Sequence, residues 1–386
     1  MKRQILNLVR RLFFLYSEKK RKSKNLYRYI NFEQIENTPI EKINRIIFIV
    51  PGIEKYSGGH TSILRLGTQL SKEYKILYAS YIKENENDMK DAASFNLKDY
   101  KGEIFNLENI DTTDNDILIA TFWESVYFIK KLKGYKMYFV QDYEPYFYAY
   151  GEDYLLAEET YRLGFHVVSL GKWNIEKIKK MGDYKNTILN YIDFPYEKKE
   201  YTPVIRDYKS YKEKRKIKIA VYVKASLKRA PYLIDSILGN LKLKLKTQKN
   251  IDLEVTYFGN ESYLKLENGE SLGKLDKISL MELYHNSDFG MCASLTNISL
   301  VPYEMLATGL PLIEFEEGSF KDFFPEEVAI MTDFNYETLY KKILTILSEP
   351  EVLEKSNIVA LEIMKDLSWN NSGKQFINII KKKVLK

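Results

Sequence analysis

The strongest constraint on the fold is a repeated alternation of strand-like and helix-like segments. The runs RIIFIV and KILYASYI have the length and composition of strands, and the segment YSGGHTSILRLGTQL between them has the apolar spacing of a helix. Two strands connected in this way pair in parallel, because a parallel connection needs a long crossover. The runs DILIATF, KMYFVQD and FHVVSLG continue the series. The sequence therefore predicts a parallel α/β domain over residues 44–195.

The same alternation restarts in the second half of the chain. The runs KIKIAVYVK, DLEVTYFG, DFGMCAS and LPLIEF are strand-like, with helical segments between and after them. This predicts a second α/β domain over 217–366, connected through the charged, irregular residues 196–216. A C-terminal helix over 367–386 is expected to pack back on the first domain. The predicted fold class is α/β, with two Rossmann-like doubly wound domains facing a cleft. Such sheets bind ligands at the carboxyl ends of their strands.

Composition narrows the class of function. The 386-residue chain is 45% hydrophobic, and its single cysteine, Cys292, excludes an internal disulfide bond. Its three histidines, His60, His166 and His285, lie far apart in the sequence and form no zinc motif. No pattern typical of nucleic-acid-binding modules is present either. We therefore expect a cytoplasmic protein without a Cys/His zinc site, and we expect no cofactor and no bound nucleic acid.

Residues 1–43 form a basic N-terminal segment. Its first 28 residues contain ten lysines and arginines and one acid, and its longest apolar run, LFFLY, is too short to span a membrane. On a helix, Ile5, Val9, Leu12 and Tyr16 share one apolar face. Two interpretations remain open. The helix lies on the anionic inner leaflet of the plasma membrane, or it packs on its own protein with a basic outer face.

The most specific pattern lies between residues 275 and 315. A helix, a strand, a loop of small residues, a short helix and a further strand follow one another in this segment. The pattern residues are Leu283, Tyr284, Ser287, Asp288, Ser294, Pro302, Glu304, Ala307, Gly309 and Pro311. Their spacing resembles that of the retaining glycosyltransferases of the GT-B fold.

This resemblance implies a site for a nucleotide-sugar donor. Glu304, in a helix expected to start near Pro302, is placed to accept hydrogen bonds from both ribose hydroxyls, each worth roughly 1.5–3 kcal/mol. The alternative is a glutamate that interacts with the helix dipole, worth roughly 0.3–1 kcal/mol. The diphosphate would bind loop amides at the start of that helix. Those amides belong to Asn297, Ile298, Ser299 and Leu300. Many such enzymes have a second glutamate eight residues before the first, where this chain has Thr296. That difference is compatible with a sugar that is deoxygenated at C6 or is held by backbone amides.

A basic loop follows the strand AVYV. In the family that the pattern resembles, a Lys/Arg pair at this strand end neutralises the leaving diphosphate, so Lys224 and Arg229 are catalytic candidates and Lys228 is a donor-binding candidate. A solvated basic loop is the alternative. Further donor contacts are predicted on both halves of the chain. They involve Gly58, Gly59, Gly259, Lys274 and Lys277.

The stretch QDYEPYFYAYG follows a buried-looking strand of the first half. Carboxylates at a strand end beside aromatic residues suit a carbohydrate acceptor, and a structured tyrosine-rich loop is the alternative. The predicted acceptor-binding residues are Gln141, Tyr143, Glu144 and His60, and His60 is equally suited to a capping role. From Gln141 to Gly164 the sequence resembles the bacterial rhamnosyltransferases related to WsaF. In that group the residues matching Asp142, Lys224 and Glu304 are functional, and the position of Lys224 is an arginine.

The resemblance implies a retaining glycosyltransferase that moves rhamnose from dTDP-β-L-rhamnose to a growing bacterial surface polysaccharide, which is carried on a lipid or free. Asp142, Lys224, Arg229 and Glu304 would be its catalytic residues. Catalysis would be metal-independent, with the leaving phosphate helping to deprotonate the acceptor. Two alternatives remain: a nucleotide-sugar epimerase of the same fold, and a non-enzymatic basic protein that binds a membrane or nucleic acid.

Overall fold

The computed structural model of the protein describes residues 26–184, 186–196, 198–260 and 263–386. The helix predicted at the N-terminus therefore lies outside the described residues. The chain divides into two compact units. The first contains the described residues up to Ser169, together with Ile178–Tyr191 and Phe376–Lys386. The second contains Leu170–Lys177 and Ile192–Gln375.

The first sheet has seven strands in the order β3-β2-β1-β4-β5-β6-β7. They are β1 Arg45–Val50, β2 Ile76–Ser80, β3 Glu103–Asn106, β4 Asp116–Ala120, β5 Tyr135–Val140, β6 His166–Leu170 and β7 Leu189–Ile192. The strand pairs from β3 across to β6 are all parallel. The helices in this part of the chain are α1 Gly58–Leu70, α2 Glu86–Asn96, α3 Trp123–Ile129, α4 Glu152–Glu159 and α5 Lys172–Met181.

The second sheet has six parallel strands in the order β10-β9-β8-β11-β12-β13. They are β8 Lys216–Tyr222, β9 Asp252–Phe258, β10 Glu270–Ser271, β11 Phe289–Met291, β12 Leu312–Phe315 and β13 Ala329–Thr332. The helices are α6 Pro231–Lys249, α7 Lys277–Asn286, α8 Leu300–Ala307, α9 Tyr336–Ser348, α10 Glu351–Met364 and α11 Trp369–Lys383. The predicted pair of parallel α/β domains is confirmed.

Burial explains why the strands could be recognised as continuous apolar runs. Ile46, Ile47, Phe48, Ile49 and Val50 of β1 are all at most 1% exposed, because a parallel sheet with helices on both faces buries every side chain of its central strands. In the second unit, α6 and α9 cover the sheet with apolar stripes. The stripe residues include Ile234, Leu238, Leu241 and Leu245 of α6 and Leu339 and Ile343 of α9.

The segment predicted to connect the domains, residues 196–216, makes specific contacts with the second unit. The Arg206 guanidinium donates to the carbonyl oxygens of Tyr284 (2.5 Å) and Ser287 (2.7 Å), at the carboxyl end of α7. The Tyr208 hydroxyl donates to the Gly309 carbonyl (2.7 Å), which follows α8. These groups satisfy carbonyls that a helix end leaves without an internal partner. The segment therefore supports the two helices that carry Tyr284 and Glu304.

Candidate functional site

The strand order of the second sheet marks one position as the expected ligand site. The chain runs from β8 outward to β9 and β10, and then returns to the other side of β8 with β11. The carboxyl ends of β8 and β11 therefore form a topological switch point, where doubly wound sheets bind ligands. Arg229 joins the loops that leave these two strands, because its Nη1 atom donates to the carbonyl oxygen of Ala293 over 2.9 Å.

Two cations lie beside the same aromatic ring at this switch point. Lys224 Nζ and Arg229 Cζ are each 5.9 Å from the centroid of the Tyr222 ring. Arg229 is 5% exposed and belongs to a short 3-10 turn, Leu227–Arg229, whereas Lys224 is half-buried. Within the described part of the chain, neither makes an ion pair with a carboxylate. Lys224 and Arg229 therefore place two positive charges beside this end of β8.

Glu304 lies in the second turn of α8 and not in its first, because the helix begins at Leu300 and not near Pro302. The interaction of a charge with the helix dipole falls off within the first turn, so this position weakens the dipole interpretation. The carboxylate is half-buried, and its Oε2 atom accepts a hydrogen bond of 3.2 Å from the fully buried Tyr284 hydroxyl. Tyr284, from α7, therefore orients a carboxylate that remains partly accessible.

The start of α8 has the features of an anion site. Ser299 is the N-cap residue, but its side chain makes no capping hydrogen bond. The amides of Leu300 and Val301 have no acceptor within the helix, since the first turn of any helix leaves such donors. Ile298 and Asn297 are buried, and the Asn297 side-chain amide donates to the Leu170 carbonyl of the same unit (2.9 Å). Helix N-termini of this kind bind phosphate groups.

A buried carboxyl group, Glu314, supports the loop between β11 and α8. Its Oε2 atom accepts hydrogen bonds from the amides of Ser294 (3.1 Å) and Phe315 (3.3 Å), and its Oε1 atom accepts one from the Ser294 hydroxyl (2.6 Å). The Ser294 carbonyl in turn accepts from the Ser319 amide (2.7 Å). A side chain on Gly318 would place its Cβ atom 2.5 Å from that carbonyl. The loop is therefore fixed from both sides.

Three charged side chains affect the pKa of the buried Cys292 thiol. Burial raises the pKa of the Cys292 thiol, Glu314 and Glu304 raise it further, and Arg229 lowers it. Contacts beside Cys292 agree with these directions. Arg229 donates to the carbonyl of the next residue, Ala293, and Cys292 Sγ lies 3.9 Å from the Sδ atom of Met305, which follows Glu304 in α8. The structure thus brings together Arg229 and Glu304, predicted from the sequence, with Glu314, which the sequence reasoning missed. A glutamate inside the otherwise apolar strand LPLIEF was the available signal for Glu314.

The other predicted donor residues have different surroundings. Gly259 has a φ of +83°, and a Cβ atom there would lie 2.7 Å from the Tyr222 ring, so the glycine is needed for local packing. Lys228 is half-buried, and Lys274 is exposed. Lys277, at the start of α7, forms an exposed ion pair with Glu200 (2.5 Å). Donor contacts from these residues stay predictions.

In the first unit, the structure brings the glycine loop and the end of β5 together. Gln141 Nε2 donates to the Gly59 carbonyl (3.3 Å), and Gly58 begins α1 after the N-cap Ser57. The His60 amide donates to the Ser57 hydroxyl, and its Nδ1 atom accepts from the Glu54 amide (3.0 Å). Burial lowers the pKa of His60, which keeps the ring neutral at pH 7. These contacts favour the capping interpretation of His60.

The residues after Gln141 are mostly turned inward. Asp142 is 8% exposed, and its Oδ1 atom accepts from the Tyr143 amide (2.9 Å). Glu144 is 3% exposed, and its Oε2 atom accepts from the amide of Trp123, the first residue of α3 (2.7 Å). The Tyr143 hydroxyl donates to Glu158 (3.0 Å). Tyr143 and Glu144 thus have structural partners, and their predicted contact with an acceptor stays a prediction.

Two further findings concern the described residues alone. None of their His, Cys, Asp and Glu side chains form a group of three that could hold a metal ion. No helix among residues 26–184, 186–196, 198–260 and 263–386 combines the length and the apolar character needed to cross a membrane.

Comparison with solved structures identifies the fold. HepE of Anabaena, solved in complex with UDP-glucose, is 12% identical, with a TM-score of 0.67 over 88% of this chain and 99% of that chain. Sucrose-phosphate synthase of Thermosynechococcus elongatus is 12% identical, with a TM-score of 0.60 over 88% and 98%. WaaG, a glycosyltransferase involved in lipopolysaccharide biosynthesis, is 13% identical, with a TM-score of 0.56 over 87% and 99%. The chain has the GT-B fold.

Sequence similarity to known proteins is more limited. The O-antigen biosynthesis protein RfbC of Myxococcus xanthus is 27% identical over 203 residues. These residues are 51% of this chain and 15% of RfbC, so the similarity involves a small part of a much longer protein. No family model matches the chain.

Proposed function

We propose that the protein is a glycosyltransferase that transfers a sugar from a nucleotide-sugar donor to a bacterial surface polysaccharide. The observation that carries this proposal is the arrangement at the switch point of the second sheet. There, Lys224 and Arg229 lie beside the Tyr222 ring, Arg229 donates to the Ala293 carbonyl after β11, and Glu304 lies in the helix α8 that follows. A GT-B fold alone would not specify an activity, but cations, helix amides and an oriented carboxylate match a nucleoside diphosphate.

Each part of the donor has a proposed partner. The ribose hydroxyls donate to Glu304, which Tyr284 holds in place. The diphosphate accepts hydrogen bonds from the amides at the start of α8, with Lys224 and Arg229 on its other side. Negative charge on the diphosphate grows as the glycosidic bond breaks, so fixed cations stabilise the transition state more than the ground state.

The proposed reaction retains the configuration of the transferred sugar. The leaving phosphate accepts the proton of the attacking acceptor hydroxyl on the same face, so the protein needs no carboxylate nucleophile. Asp142, at the end of β5 in the first unit, is proposed to contact the acceptor or the transferred sugar. Neutralisation by Lys224, Arg229 and amides makes the proposed reaction independent of a metal ion.

The proposed donor is dTDP-β-L-rhamnose. The similarity to the WsaF-related rhamnosyltransferases supports this choice, and so does Thr296, which is 3% exposed and stands where many related enzymes have a sugar-binding glutamate. A sugar without a hydroxyl at C6 has one hydroxyl fewer that needs a hydrogen-bond partner in the enzyme. The O-antigen role named for RfbC supports a polysaccharide acceptor. We further propose that residues 1–24 bring the enzyme to the inner leaflet of the plasma membrane.

A donor panel tests the proposed function. The full-length protein is incubated with dTDP-rhamnose, UDP-glucose, UDP-N-acetylglucosamine and GDP-mannose, and free nucleotide is measured over hours. We expect slow release from dTDP-rhamnose, acceleration by a polysaccharide acceptor, and a product whose anomeric configuration matches that of the donor by NMR. Release from none of the donors, together with no calorimetric binding of dTDP or UDP, would reject the proposal. A changed donor sugar without transfer would instead indicate an epimerase.

A further inference from the structure

An aromatic surface lies on the first unit, shortly after β5. Tyr146, Phe147 and Tyr150 are 40%, 37% and 82% exposed. The Tyr150 ring lies against the half-buried Tyr154 ring of α4, with 5.2 Å between their centroids. We call these four residues the aromatic surface. None of them is among the residues that the proposed donor site uses.

The rings of the aromatic surface stand on a buried support. Tyr143, 4% exposed, contacts Tyr146 edge to face (4.9 Å, 80°) and stacks on the fully buried Tyr161 (5.5 Å, 17°). The hydroxyls of Tyr143 (3.0 Å) and Tyr154 (3.4 Å) both donate to Glu158 Oε1. A support of this kind holds exposed rings in place without burying them. Soluble monomers rarely expose clustered aromatic rings, because apolar surface in contact with water raises the free energy of the folded state. Such a cluster therefore indicates a binding surface.

Charge decides which partner fits this surface. The segment from residue 141 to 162 contains six carboxylates and one basic residue, although the whole chain has a net charge of +6. The carboxylates are Asp142, Glu144, Glu152, Asp153, Glu158 and Glu159, and the basic residue is Arg162. Asp142 and Glu144 are buried, so the other four carboxylates, one exposed and three half-buried, give this surface its negative charge, and Arg162 pairs with two of them. Such a segment repels an anionic bilayer and nucleic acid. It suits a neutral sugar chain, whose C–H faces pack on aromatic rings and whose hydroxyls donate to carboxylates.

We propose that the aromatic surface binds a neutral glycan chain, at sugars of the acceptor beyond the one that reacts. This inference rests on the proposed function, because it assigns the acceptor of that reaction a second contact region. It adds Tyr146 and Tyr150 to the predicted acceptor-binding residues, as rings that meet sugars. The surface would hold a growing polymer between successive additions and so favour long acceptors over short ones.

Calorimetry with defined oligosaccharides tests this inference. The probes are a neutral rhamnan oligosaccharide and a dextran oligosaccharide, with a heparin oligosaccharide and phosphatidylserine vesicles as anionic probes. The variants are Tyr146→Ala/Tyr150→Ala and, as a single change at the most exposed ring, Tyr150→Ala. Tyr263→Ala, at a 72% exposed tyrosine of the second unit, is the matched control. Circular dichroism checks that each variant is folded, and Tyr150→Ala carries the test if the double variant is not.

We expect the wild-type protein and Tyr263→Ala to bind at least one neutral probe with equal affinity. The double variant should bind it at least tenfold more weakly, and its affinity for dTDP or UDP should be unchanged. Wild-type affinity in both tyrosine variants, or no binding of either neutral probe to the wild type, overturns the inference. So does a double variant that loses binding to the anionic probes instead. If the tyrosines bind glycan but the protein binds no nucleotide, the proposed function fails and the glycan surface stands.

Discussion

The hydroxyl of Ser294 donates to the Glu314 carboxyl group over 2.6 Å, and both side chains are completely buried. Burial raises the pKa of Glu314 to about 7, although its hydrogen bonds from Ser294 and Phe315 and the charge of Arg229 act in the opposite direction. A group whose charge changes near neutral pH therefore lies beneath the loop that leads into α8. The stability of the folded protein should therefore depend on pH.

We expect the wild-type protein to lose stability relative to Glu314→Gln as the pH rises. The pKa of Glu314 in the folded protein lies above its ordinary value of 4.5. The stability that the wild type has with Glu314 protonated is therefore fully present below pH 4.5 and is lost as the pH rises through about 7. The full loss is roughly 3 kcal/mol. Glutamine fits the site because its oxygen can accept from the two amides and the Ser294 hydroxyl can turn to accept from its NH₂ group.

Thermal unfolding of both proteins between about pH 5 and about pH 8 measures this effect. The melting temperature of Glu314→Gln should rise relative to that of the wild type across the range. Glu282→Gln, at an exposed position of α7, provides a control for loss of a carboxylate. A difference between Glu314→Gln and the wild type that stays constant with pH would contradict the prediction.

Elements that bury continuous apolar runs could be predicted from the sequence, and weakly buried ones could not. The strand RIIFIV is buried along β1, so its composition alone indicated a central strand. By contrast, α2 buries only Met89, Ala92 and Ala93, and β10 consists of two exposed residues. These short elements form because the neighbouring sheet and helices hold them, and that tertiary contribution leaves little trace in the local pattern.

The same distinction applies to the candidate site. Glu304 and Lys224 could be proposed as site residues because they match positions in a family pattern around recognisable strands and helices, and their roles stay predictions. The inward orientation of Glu144 could not be predicted, since it depends on the amide of Trp123, which is distant in the sequence. Nothing in QDYEPYFYAYG distinguishes the buried Tyr143 from the 82% exposed Tyr150. The Tyr161 ring on which Tyr143 stacks makes that difference.

Replacing Glu304 with glutamine should weaken nucleotide binding and lower turnover at least tenfold, which is about 1.4 kcal/mol. The Tyr284 hydroxyl can still donate to the amide oxygen, so the fold should be intact, but the charge that strengthens hydrogen bonds from the ribose is lost. Calorimetric titration with dTDP and UDP measures the change, with Glu282→Gln as control. Wild-type nucleotide affinity in Glu304→Gln would show that Glu304 does not bind the ribose.

Replacing Lys224 with alanine should lower kcat more than it raises the KM for the donor, because the charge it meets grows in the transition state. Arg229 is 5% exposed and donates to the Ala293 carbonyl, so Arg229→Lys is the suitable change there. This change keeps the positive charge but removes the planar guanidinium group, which can bind phosphate through two parallel hydrogen bonds. Steady-state kinetics of both variants, compared with Lys242→Ala on an exposed part of α6, checks the prediction. An unchanged kcat in both would mean that the diphosphate binds elsewhere.

Asp142→Asn should abolish transfer and leave the affinity for dTDP unchanged. Asparagine retains a side-chain oxygen for the hydrogen bond from the Tyr143 amide, so the loop should keep its structure while the carboxylate charge is lost. Transfer to an acceptor and calorimetric binding of dTDP are measured on the same preparation. The control is Asp99→Asn, an exposed aspartate before β3. If nucleotide affinity falls as far as activity does, Asp142 acts on the donor phosphate or on the fold.

Deleting residues 1–24 tests the proposed contact with the membrane. The deletion ends before Leu26, which is buried in the described structure, so the folded units should be preserved. Each lysine or arginine near an anionic leaflet contributes about 1 kcal/mol, and salt screens the attraction. We therefore expect the full-length protein to sediment with anionic vesicles at low salt and less at high salt. The deletion should abolish sedimentation, reduce activity on a lipid-linked acceptor and spare activity on a short soluble one. If this segment instead packs on its own protein, the deletion lowers the melting temperature and the full-length protein does not sediment with vesicles even at low salt.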